Sequence, residues 1–305
     1  MTKKKLPVLL LGYNRPAMLD RQLMRFSEFG TCKVYVAIDG PKDNEVDRNL
    51  HQEIRQVLRR HQDFLRGRVL VSETNQGCAR GVPSGISWFF DQEESGAIFE
   101  DDCVPLDGAI EWLQNALDVY RESETIGMIS ASGPIPKQFF GKSNAVLVRQ
   151  PLVWGWATWR NCWNNYDHEL PVLDKELHLS FRKWVGNRFS TNFWERQFTR
   201  VRQEELDSWA YRFAFCLFRA DLGCLVPRQN FSENIGFGSN ATHTVKESRA
   251  YSRVLRRKYV GEGGASYVSN RHRGAELYLD MVLYSALRVT VSPFVSRIRR
   301  WRSVE

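Results

Sequence analysis

The chain of 305 residues contains no apolar run that reaches the ~18 residues needed for a membrane-spanning helix. Its six cysteines form no C-x-x-C pair and no zinc-site spacing, so zinc modules are excluded and reduced, mostly buried thiols of a cytosolic protein are expected. Internal repeats and low-complexity linkers are also missing. The chain is therefore expected to fold as one continuous unit.

Positive charge is in surplus, with 43 Lys and Arg against 35 Asp and Glu and a net charge of +8. This balance fits an anionic partner, which includes nucleotide sugars, nucleic acids and membrane surfaces. The basic start and the apolar residues 6–11 imitate a signal peptide, but the apolar part is short and no small-residue cleavage site follows. We interpret it as a first strand.

Predicted strands and helices alternate through the first 130 residues. The strands are expected at 7–11, 34–38, 68–72, 96–99 and 126–130, and the helices at 16–29, 46–61, 82–92 and 107–120. This alternation predicts βαβ units, and hence an α/β fold with a mostly parallel sheet. Beyond residue 130 the alternation stops, and we expect helices at 181–202, 209–220 and 273–289 with a loop at 228–244.

Three adjacent acids, Glu100, Asp101 and Asp102, end the fourth predicted strand. In an open α/β sheet, ligands bind outside the carboxyl ends of the strands. Neighbouring carboxylates repel one another, so a bound cation is a natural reason to keep them together. Mg²⁺ and Mn²⁺ take oxygen ligands, commonly one or two carboxylates with substrate phosphates. The alternative is a solvated acidic turn.

Three loops follow other predicted strands. The first, Tyr13-Asn14-Arg15-Pro16, suits a nucleotide base and ribose or is a simple turn with proline at the helix start. Asp39 suits a uracil N–H or a ribose hydroxyl, or it is a turn residue before glycine. The turn at Asn75-Gln76-Gly77, with Arg80 behind it, suits phosphate, or its glycine only serves the helix start.

These motifs, in this order, resemble those of GT-A glycosyltransferases. The Glu-Asp-Asp form is most similar to N-acetylglucosaminyltransferase I and to related bacterial nucleotide-diphospho-sugar transferases. Three later segments continue the resemblance. They are Trp154-Gly155-Trp156, like a Gly-Trp segment at the donor and acceptor pocket; Leu206-Asp207-Ser208-Trp209, like a Trp-Asp-Asp-Trp segment; and Phe237-Gly238 with Thr242-His243, like a loop near the phosphates.

The resemblance implies a Rossmann-like GT-A fold with a helical, loop-rich C-terminal part. Residues 1–132 would form the nucleotide-sugar-binding half, 133–250 the acceptor-side half of the same domain, and 251–305 a helical extension with a basic tail. It also implies a metal ligand at Asp102, a catalytic base at Asp207, and donor contacts from the other motif residues. The donor contacts are Tyr13, Asn14, Arg15, Asp39, Asn75, Gly77, Arg80, Glu100, Asp101, Trp154, Gly155, Trp156 and His243.

The expected reaction moves a sugar from a nucleoside diphosphate, UDP by preference, to a hydroxyl of a glycan or lipid-linked acceptor. Mn²⁺ or Mg²⁺, with Arg80 or His243, would stabilise the leaving diphosphate. Asp207 would take the proton of the acceptor hydroxyl, and direct displacement would invert the anomeric carbon. Its alternative role is an N-cap of the helix at 209. Trp154 and Trp156 either line the donor pocket or are buried in the hydrophobic core, and the two alternatives are equally expected.

Other functions are weighed against this one. A sugar nucleotidyltransferase needs a glycine-rich loop with lysine directly after the first strand, where this chain has Gly12-Tyr13-Asn14-Arg15. Binding of nucleic acid fits the charge, but no recognisable module supports it. A sugar-binding relative without turnover also stays open. The basic, aromatic residues 294–302 are either a membrane contact at the inner face, suited to bacterial cell-surface polysaccharide synthesis, or a solvated tail.

Overall fold

A computed structural model describes residues 5–235 and 271–282. Its central feature is an eight-stranded sheet in the order β3-β2-β1-β4-β8-β6-β9-β7. A separate antiparallel pair joins β5 to β10. The strands are β1 Leu6–Gly12, β2 Cys32–Ile38, β3 Val69–Val71, β4 Ser95–Glu100, β5 Cys103–Pro105, β6 Ile126–Ser130, β7 Ala145–Val148, β8 Trp156–Trp159, β9 Gly223–Pro227 and β10 Ser232–Asn234.

Most strands of the large sheet run in one direction. β3, β2, β1 and β4 are parallel neighbours, and β6 and β9 are parallel to each other. β8 lies antiparallel between β4 and β6, and β7 is antiparallel to β9 at the edge. The predicted α/β fold with a mostly parallel sheet is confirmed. The two reversed strands were not predicted, because residues 145–159 follow the point where the alternation stops.

Strand β1 explains why the sheet is buried on both faces. Its sequence, LPVLLLG, is apolar at successive positions, as expected of a central parallel strand covered by helices on both sides. Successive side chains point to opposite faces, so Val8 and Leu10 join one core cluster while Leu9 and Leu11 join the other. At the carboxyl end of β1, Gly12 pairs with β2 and Leu11 pairs with Glu100. The ends of β1, β2 and β4 therefore lie side by side.

Helices cover both faces of this sheet. Those that pack with Val8 and Leu10 are α1, α2 and α5, and those on the opposite face are α4, α9 and α10. The helices are α1 Pro16–Phe29, α2 Glu45–Arg60, α3 Gln62–Leu65, α4 Cys78–Phe90, α5 Ala109–Val119, α6 Arg160–Trp163, α7 Lys175–Val185, α8 Arg188–Arg202, α9 Trp209–Arg219 and α10 Arg273–Val282. None of the helices in this described part is long and apolar enough to cross a membrane.

Some predicted bounds were wrong. The helix expected at 181–202 is divided, because Gly186 adopts a left-handed conformation (φ 83°) and the Asn187 side chain caps a new helix by accepting from Ser190 N. Helix α4 begins at Cys78, four residues before the expected start, and Gly108 rather than Asp107 is the N-cap of α5. Within the expected loop at 228–244, residues 232–234 form β10.

Candidate functional site

A cavity of about 290 Å³ lies at the carboxyl ends of β1, β2 and β4, beside the first turns of α4. This is the edge of a parallel sheet at which ligands bind in open α/β folds. Many of the predicted site residues meet there although they come from distant parts of the sequence. Those that line the cavity are Tyr13, Asn14, Arg15, Asp39, Asn75, Gly77, Glu100, Asp101 and Asp207.

The acids at the end of β4 are held by one guanidinium. Arg15 Nη1 donates to Asp101 Oδ1 at 2.8 Å and to Asp102 Oδ2 at 3.0 Å. The Arg15 side chain is 20% exposed, that of Asp101 9% and that of Asp102 16%. Burial raises the pKa of Asp101 to about 6, although the adjacent Arg15 charge works in the opposite direction. The two carboxylates therefore share a single cation at the cavity.

Glu100 carries the third carboxyl of this group. Burial, with the charges of Asp102 and Asp101, raises its pKa to about 8, and a hydrogen bond with the Trp209 side chain only partly opposes the rise. Even with Glu100 protonated at pH 7, the positive side chains at the cavity do not neutralise the negative ones. Among the lining residues, Arg15 and Lys42 stand against the three acids Asp39, Asp101 and Asp207. Asp102, the predicted metal ligand, is not in the lining, but its carboxylate accepts from Arg15, which is. The chain as a whole is positively charged, but negative charge is concentrated at the carboxyl ends of its parallel strands.

A divalent cation fits the donor set at the end of β4. Oxygens of Asp101 and Asp102 converge on the same nitrogen atom of Arg15, which shows that both can reach one positive centre. Carboxylates are the hard ligands that Mg²⁺ and Mn²⁺ prefer, and Mg²⁺ commonly uses one or two of them with substrate phosphates. Across residues 5–235 and 271–282 no three His, Cys, Asp or Glu side chains form a metal-binding group by themselves. The arrangement suits an open site completed by a ligand.

The loop after β1 is fixed by a residue that sequence reasoning missed, Asp47. The Tyr13 hydroxyl donates to Asp47 Oδ2, the Asn14 amide donates to Oδ1 at 3.0 Å, and the Lys42 backbone N–H donates to Oδ2 at 3.0 Å. Burial of Asp47 opposes ionisation, but these hydrogen bonds outweigh it and hold the pKa of Asp47 below its usual value. In the sequence Asp47 looks like an ordinary acid in the first turn of a helix, so no signal marked it.

Asp39 anchors the turn that precedes α4. Its Oδ1 accepts from Gln76 N at 2.9 Å and from Gly40 N at 2.8 Å. Its Oδ2 accepts from Asn75 Nδ2 at 3.0 Å and from Gly77 N at 3.1 Å. One of the two interpretations of this turn in the sequence has its amides facing phosphate. In the structure they face Asp39, because the turn folds back onto the end of β2.

Asp207 caps a helix, but not the one that follows it in the sequence. Its carboxylate accepts from Cys78 N at 3.0 Å and from Ala79 N at 2.6 Å, which are free N–H groups in the first turn of α4. Ser208 occupies the N-cap position of α9 without a side-chain hydrogen bond. Gly77 (φ 76°) leaves room for the contact, since a Cβ there would lie 3.1 Å from Asp207 Oδ2. Asp207 thus joins the second half of the chain to the cavity.

Several predicted donor contacts do not line the cavity. Trp156 is fully buried, with its ring 5.7 Å from that of Trp209 and 5.2 Å from that of Phe213, so it belongs to the core. Trp154 packs against the core on the other face of the sheet. Gly155 (φ 71°) allows the backbone to approach Phe99, where a Cβ would come within 2.5 Å of the ring. The aromatic segment therefore supports the sheet rather than the cavity.

Two predicted phosphate contacts have different outcomes. Arg80 is exposed in the first turn of α4 and is absent from the cavity lining. Its outward position follows from the helix, because the inward side of α4 is taken by Ala79, Val82 and Gly85. His243 lies outside the described residues. Lys42, Ser72 and Cys78 line the cavity without having been predicted, since neither a motif nor a charge pattern distinguishes them.

Comparison with known proteins finds glycosyltransferases among the solved structures that resemble this chain. One is the mannosyltransferase PcManGT from Pyrobaculum calidifontis, in complex with GDP-Man and Mn²⁺, at 11% identity and a TM-score of 0.42, covering 72% of this chain and 70% of that one. Another is the apo form of the glycosyltransferase GlyE of Streptococcus pneumoniae TIGR4, at 9% identity and a TM-score of 0.32, covering 72% and 45%.

A third is a mutant of Drosophila β-1,4-galactosyltransferase 7 in complex with manganese, UDP-Gal and xylobiose. It has 11% identity and a TM-score of 0.32, and the match covers 85% of this chain and 83% of that one. These solved structures belong to the class that the motifs resemble. No family model and no curated protein matches the chain. At such identities and TM-scores the likeness carries no argument about activity, which must come from the residues at the cavity.

Proposed function

We propose that this chain transfers a sugar from a nucleoside diphosphate sugar to an acceptor hydroxyl with the help of Mn²⁺ or Mg²⁺. One observation carries the proposal. A cavity at the carboxyl ends of parallel strands is lined by acids whose charge exceeds that of Arg15 and Lys42, within a chain of net charge +8. An anionic donor can enter such a cavity only with a cation, and a diphosphate supplies the oxygen ligands that Asp101 and Asp102 leave open.

Different residues of the cavity would bind different parts of the donor. Asp102 and Asp101 would hold the cation, which neutralises the charge that grows on the leaving diphosphate. The base and ribose would lie against three loops that Asp47 and Asp39 hold in place through hydrogen bonds. The residues of these loops are Tyr13, Asn14, Arg15, Asp39, Asn75 and Gly77. A phosphate contact from His243 stays a prediction.

Asp207 is the candidate base. It is exposed at the rim of the cavity, on the side of the second half of the chain, so an acceptor hydroxyl can approach it. In the arrangement described above both of its oxygens accept N–H groups of α4. Proton transfer requires that at least one oxygen turn toward the acceptor. A base that abstracts this proton implies direct displacement and inversion at the anomeric carbon.

The finer identity of the substrates rests on the motif resemblance. We propose a UDP-linked hexose or N-acetylhexosamine as the donor and a glycan or lipid-linked sugar as the acceptor, as in bacterial cell-surface polysaccharide synthesis. The chain would work in the cytoplasm, at the inner face of the membrane. The basic residues 294–302 that would contact this membrane lie outside the described residues.

The first experiment is a panel of nucleotide sugars, measured with Mn²⁺ and with a chelator by thermal unfolding. A ligand that binds only the folded chain stabilises it by about 2.7 kcal/mol at a hundred times its dissociation constant. We expect stabilisation by one UDP-sugar in Mn²⁺ and none in the chelator. Stabilisation of equal size in the chelator would remove the cation from the proposal.

The second experiment determines the stereochemistry of the product. With an α-linked donor, attack opposite the diphosphate gives a β-linkage, which the coupling constant of the anomeric proton reports in the NMR spectrum. An α-linked product would contradict a direct displacement and would leave Asp207 without a role as the base.

A further inference from the structure

Arg15 lies between the two carboxylates that the proposed function assigns to a cation. We propose that the Arg15 guanidinium is the resident counter-ion of Asp101 and Asp102, and that it competes with the divalent cation for them until the donor diphosphate offers Arg15 another anion. The inference rests on the proposed function and concerns the regulation of that same site. Cation and diphosphate would then bind cooperatively, because each makes room for the other.

The Arg15 guanidinium and a divalent cation cannot occupy the position between Asp101 and Asp102 at the same time. A single nitrogen, Arg15 Nη1, lies 2.8 Å from Asp101 Oδ1 and 3.0 Å from Asp102 Oδ2. A Mg²⁺ ion bound by the same oxygens would need distances of about 2.0–2.1 Å. Its position would fall between the carboxylates, against a guanidinium of like charge. The nitrogen and the metal ion therefore cannot share this position.

Burial makes some cation necessary at all times. The two carboxylates are mostly buried, and a third acid, Glu100, precedes them. Two mostly buried carboxylates side by side repel each other, and a cation between them removes this repulsion. Arg15 meets this need in the absence of a ligand. A divalent ion neutralises more charge, but it must first displace a cation that is covalently part of the chain.

The backbone around Arg15 is fixed, which leaves the exchange to the side chain. Tyr13 and Asn14, on one side, are bound to Asp47. Pro16, on the other side, is the first residue of α1, where proline fits the helix start. Arg15 is one of the residues that line the cavity and its side chain is 20% exposed, so an anion that enters the cavity can compete for the guanidinium. Arg is well suited to this exchange because its planar donors match carboxylate and phosphate alike.

The test measures binding of Mn²⁺ alone to the full chain, through the loss of the free Mn²⁺ signal in electron paramagnetic resonance. R15Q and R15M remove the competing charge and should bind Mn²⁺ roughly tenfold or more tightly than the wild type, since a neighbouring charge moves such equilibria by about one to three pKa units. R15K keeps the charge and should stay near the wild type. R25Q is the matched control, because Arg25 of α1 pairs with Asp107 and Glu28 instead.

A second titration adds UDP. In the wild type, UDP should raise the affinity for Mn²⁺, and Mn²⁺ should raise the affinity for UDP by the same factor. In R15Q this factor should fall roughly tenfold, because Arg15 no longer has to move. Equal or weaker binding of Mn²⁺ alone by folded R15Q and R15M would overturn the proposal. A wild type that binds UDP equally well without Mn²⁺ would overturn the proposed function and, with it, this inference, whereas tighter UDP binding in Mn²⁺ without tighter Mn²⁺ binding by R15Q would overturn the inference alone.

A readout that needs no neutral variant keeps the proposal testable if R15Q and R15M do not fold. The Arg15 Nε–H signal, assigned by its absence in R15K, should shift when Mg²⁺ and UDP are added together to the wild type. If this signal stays in place while Mg²⁺ and UDP saturate the protein, Arg15 does not leave the carboxylates and the exchange does not occur.

Discussion

Two clusters of arginine and carboxylate in this chain have opposite characters. The first, which we call the core network, joins Arg149 and Arg271 to Glu276 and Asp280 of α10. Arg149 donates to Glu276 Oε2 at 2.5 Å and to Asp280 Oδ2, and Arg271 Nε donates to Glu276 Oε1 at 2.7 Å. The side chains of Arg149, Glu276 and Asp280 are at most 2% exposed.

The second, the pocket cluster, consists of Arg15, Glu100, Asp101 and Asp102 at the end of β4. It has one arginine for three acids, and two of those acids have raised pKa values because of burial. The core network balances two arginines against two acids, and none of its residues lines the cavity at the ends of β1, β2 and β4. Balanced buried charges indicate a structural role, whereas an excess of acids beside a cavity indicates a site that can bind a cation.

The largest effect is expected in the core network. Among the described residues, Arg149→Met leaves the buried Asp280 with only the neutral donors Gln150 and Trp194 and removes one of the two cations from Glu276. Breaking a buried ion pair in this way costs about 3–5 kcal/mol. Urea unfolding should show this loss in the free energy of unfolding. Arg48→Met is the control, since Arg48 pairs with Asp43 on the surface and such pairs contribute about 0–1 kcal/mol. Equal losses of unfolding free energy in the two variants would mean that the core network contributes no more to stability than a surface ion pair.

Next in size is the effect of Asp102→Asn on the pocket cluster. We expect metal-dependent donor binding to be lost, because Asn supplies no charge for the cation, while the free energy of unfolding changes by less than about 1 kcal/mol since Arg15 keeps Asp101. Isothermal titration with the donor and Mn²⁺ measures the first quantity. Asp118→Asn, on an exposed face of α5, serves as the control. Retained Mn²⁺-dependent binding would exclude Asp102 as a ligand.

Asp207→Asn separates a cap from a base. Loss of the carboxylate should lower the transfer rate roughly a hundredfold or more and leave donor binding in place. It should also cost about 0.3–1 kcal/mol of stability, because Asn keeps only one acceptor oxygen and places no negative charge at the first turn of α4. The control is Asp174→Ala, which removes the cap of α7 away from the cavity. If both variants lose only stability, Asp207 is a cap alone.

The smallest effect concerns His51, which belongs to neither cluster. Burial lowers the pKa of His51 from its usual 6.5, partly opposed by Asp47 and Asp39 and assisted by Arg55. The unfolded chain therefore binds the proton more readily, so stability is present above the usual histidine pKa and falls as the pH drops below it. Wild-type chain should lose more stability than His51→Phe between pH 7 and pH 5, measured by urea unfolding. Parallel losses would mean that His51 does not contribute.

Sequence patterns predicted the parts of the fold that depend on local chemistry. The apolar runs at 7–11, 34–38 and 96–99 lie within β1, β2 and β4, because buried parallel strands are apolar at successive positions. Since parallel strands end at the same edge, the residues after them meet at one cavity. That is why the sequence alone could group Arg15, Asp39 and Asp101 at one site.

What failed depends on partners that are distant in the sequence. The pattern Trp154-Gly155-Trp156 does not reveal which side each ring faces, and an antiparallel strand inside a parallel sheet placed Trp156 in the core. The sequence suggests Asp207 as a cap for the helix that follows it, but its partners in the structure are Cys78 and Ala79 of α4. A local sequence pattern reports secondary-structure propensity and hydrophobic periodicity. Neither of these identifies a partner more than a hundred residues away.

The contact between Asp207 and the first turn of α4 also has a consequence during synthesis. Residue 207 follows Ala79 by 128 positions. At about 5–20 residues per second, the ribosome adds that length in roughly 6–26 s. During this interval the first turn of α4 lacks its partner Asp207, although β1 and β2 have been synthesised before it begins and β4 is synthesised early in it. The strands that carry most of the cavity are therefore made first, and its rim closes only when the second half of the chain arrives.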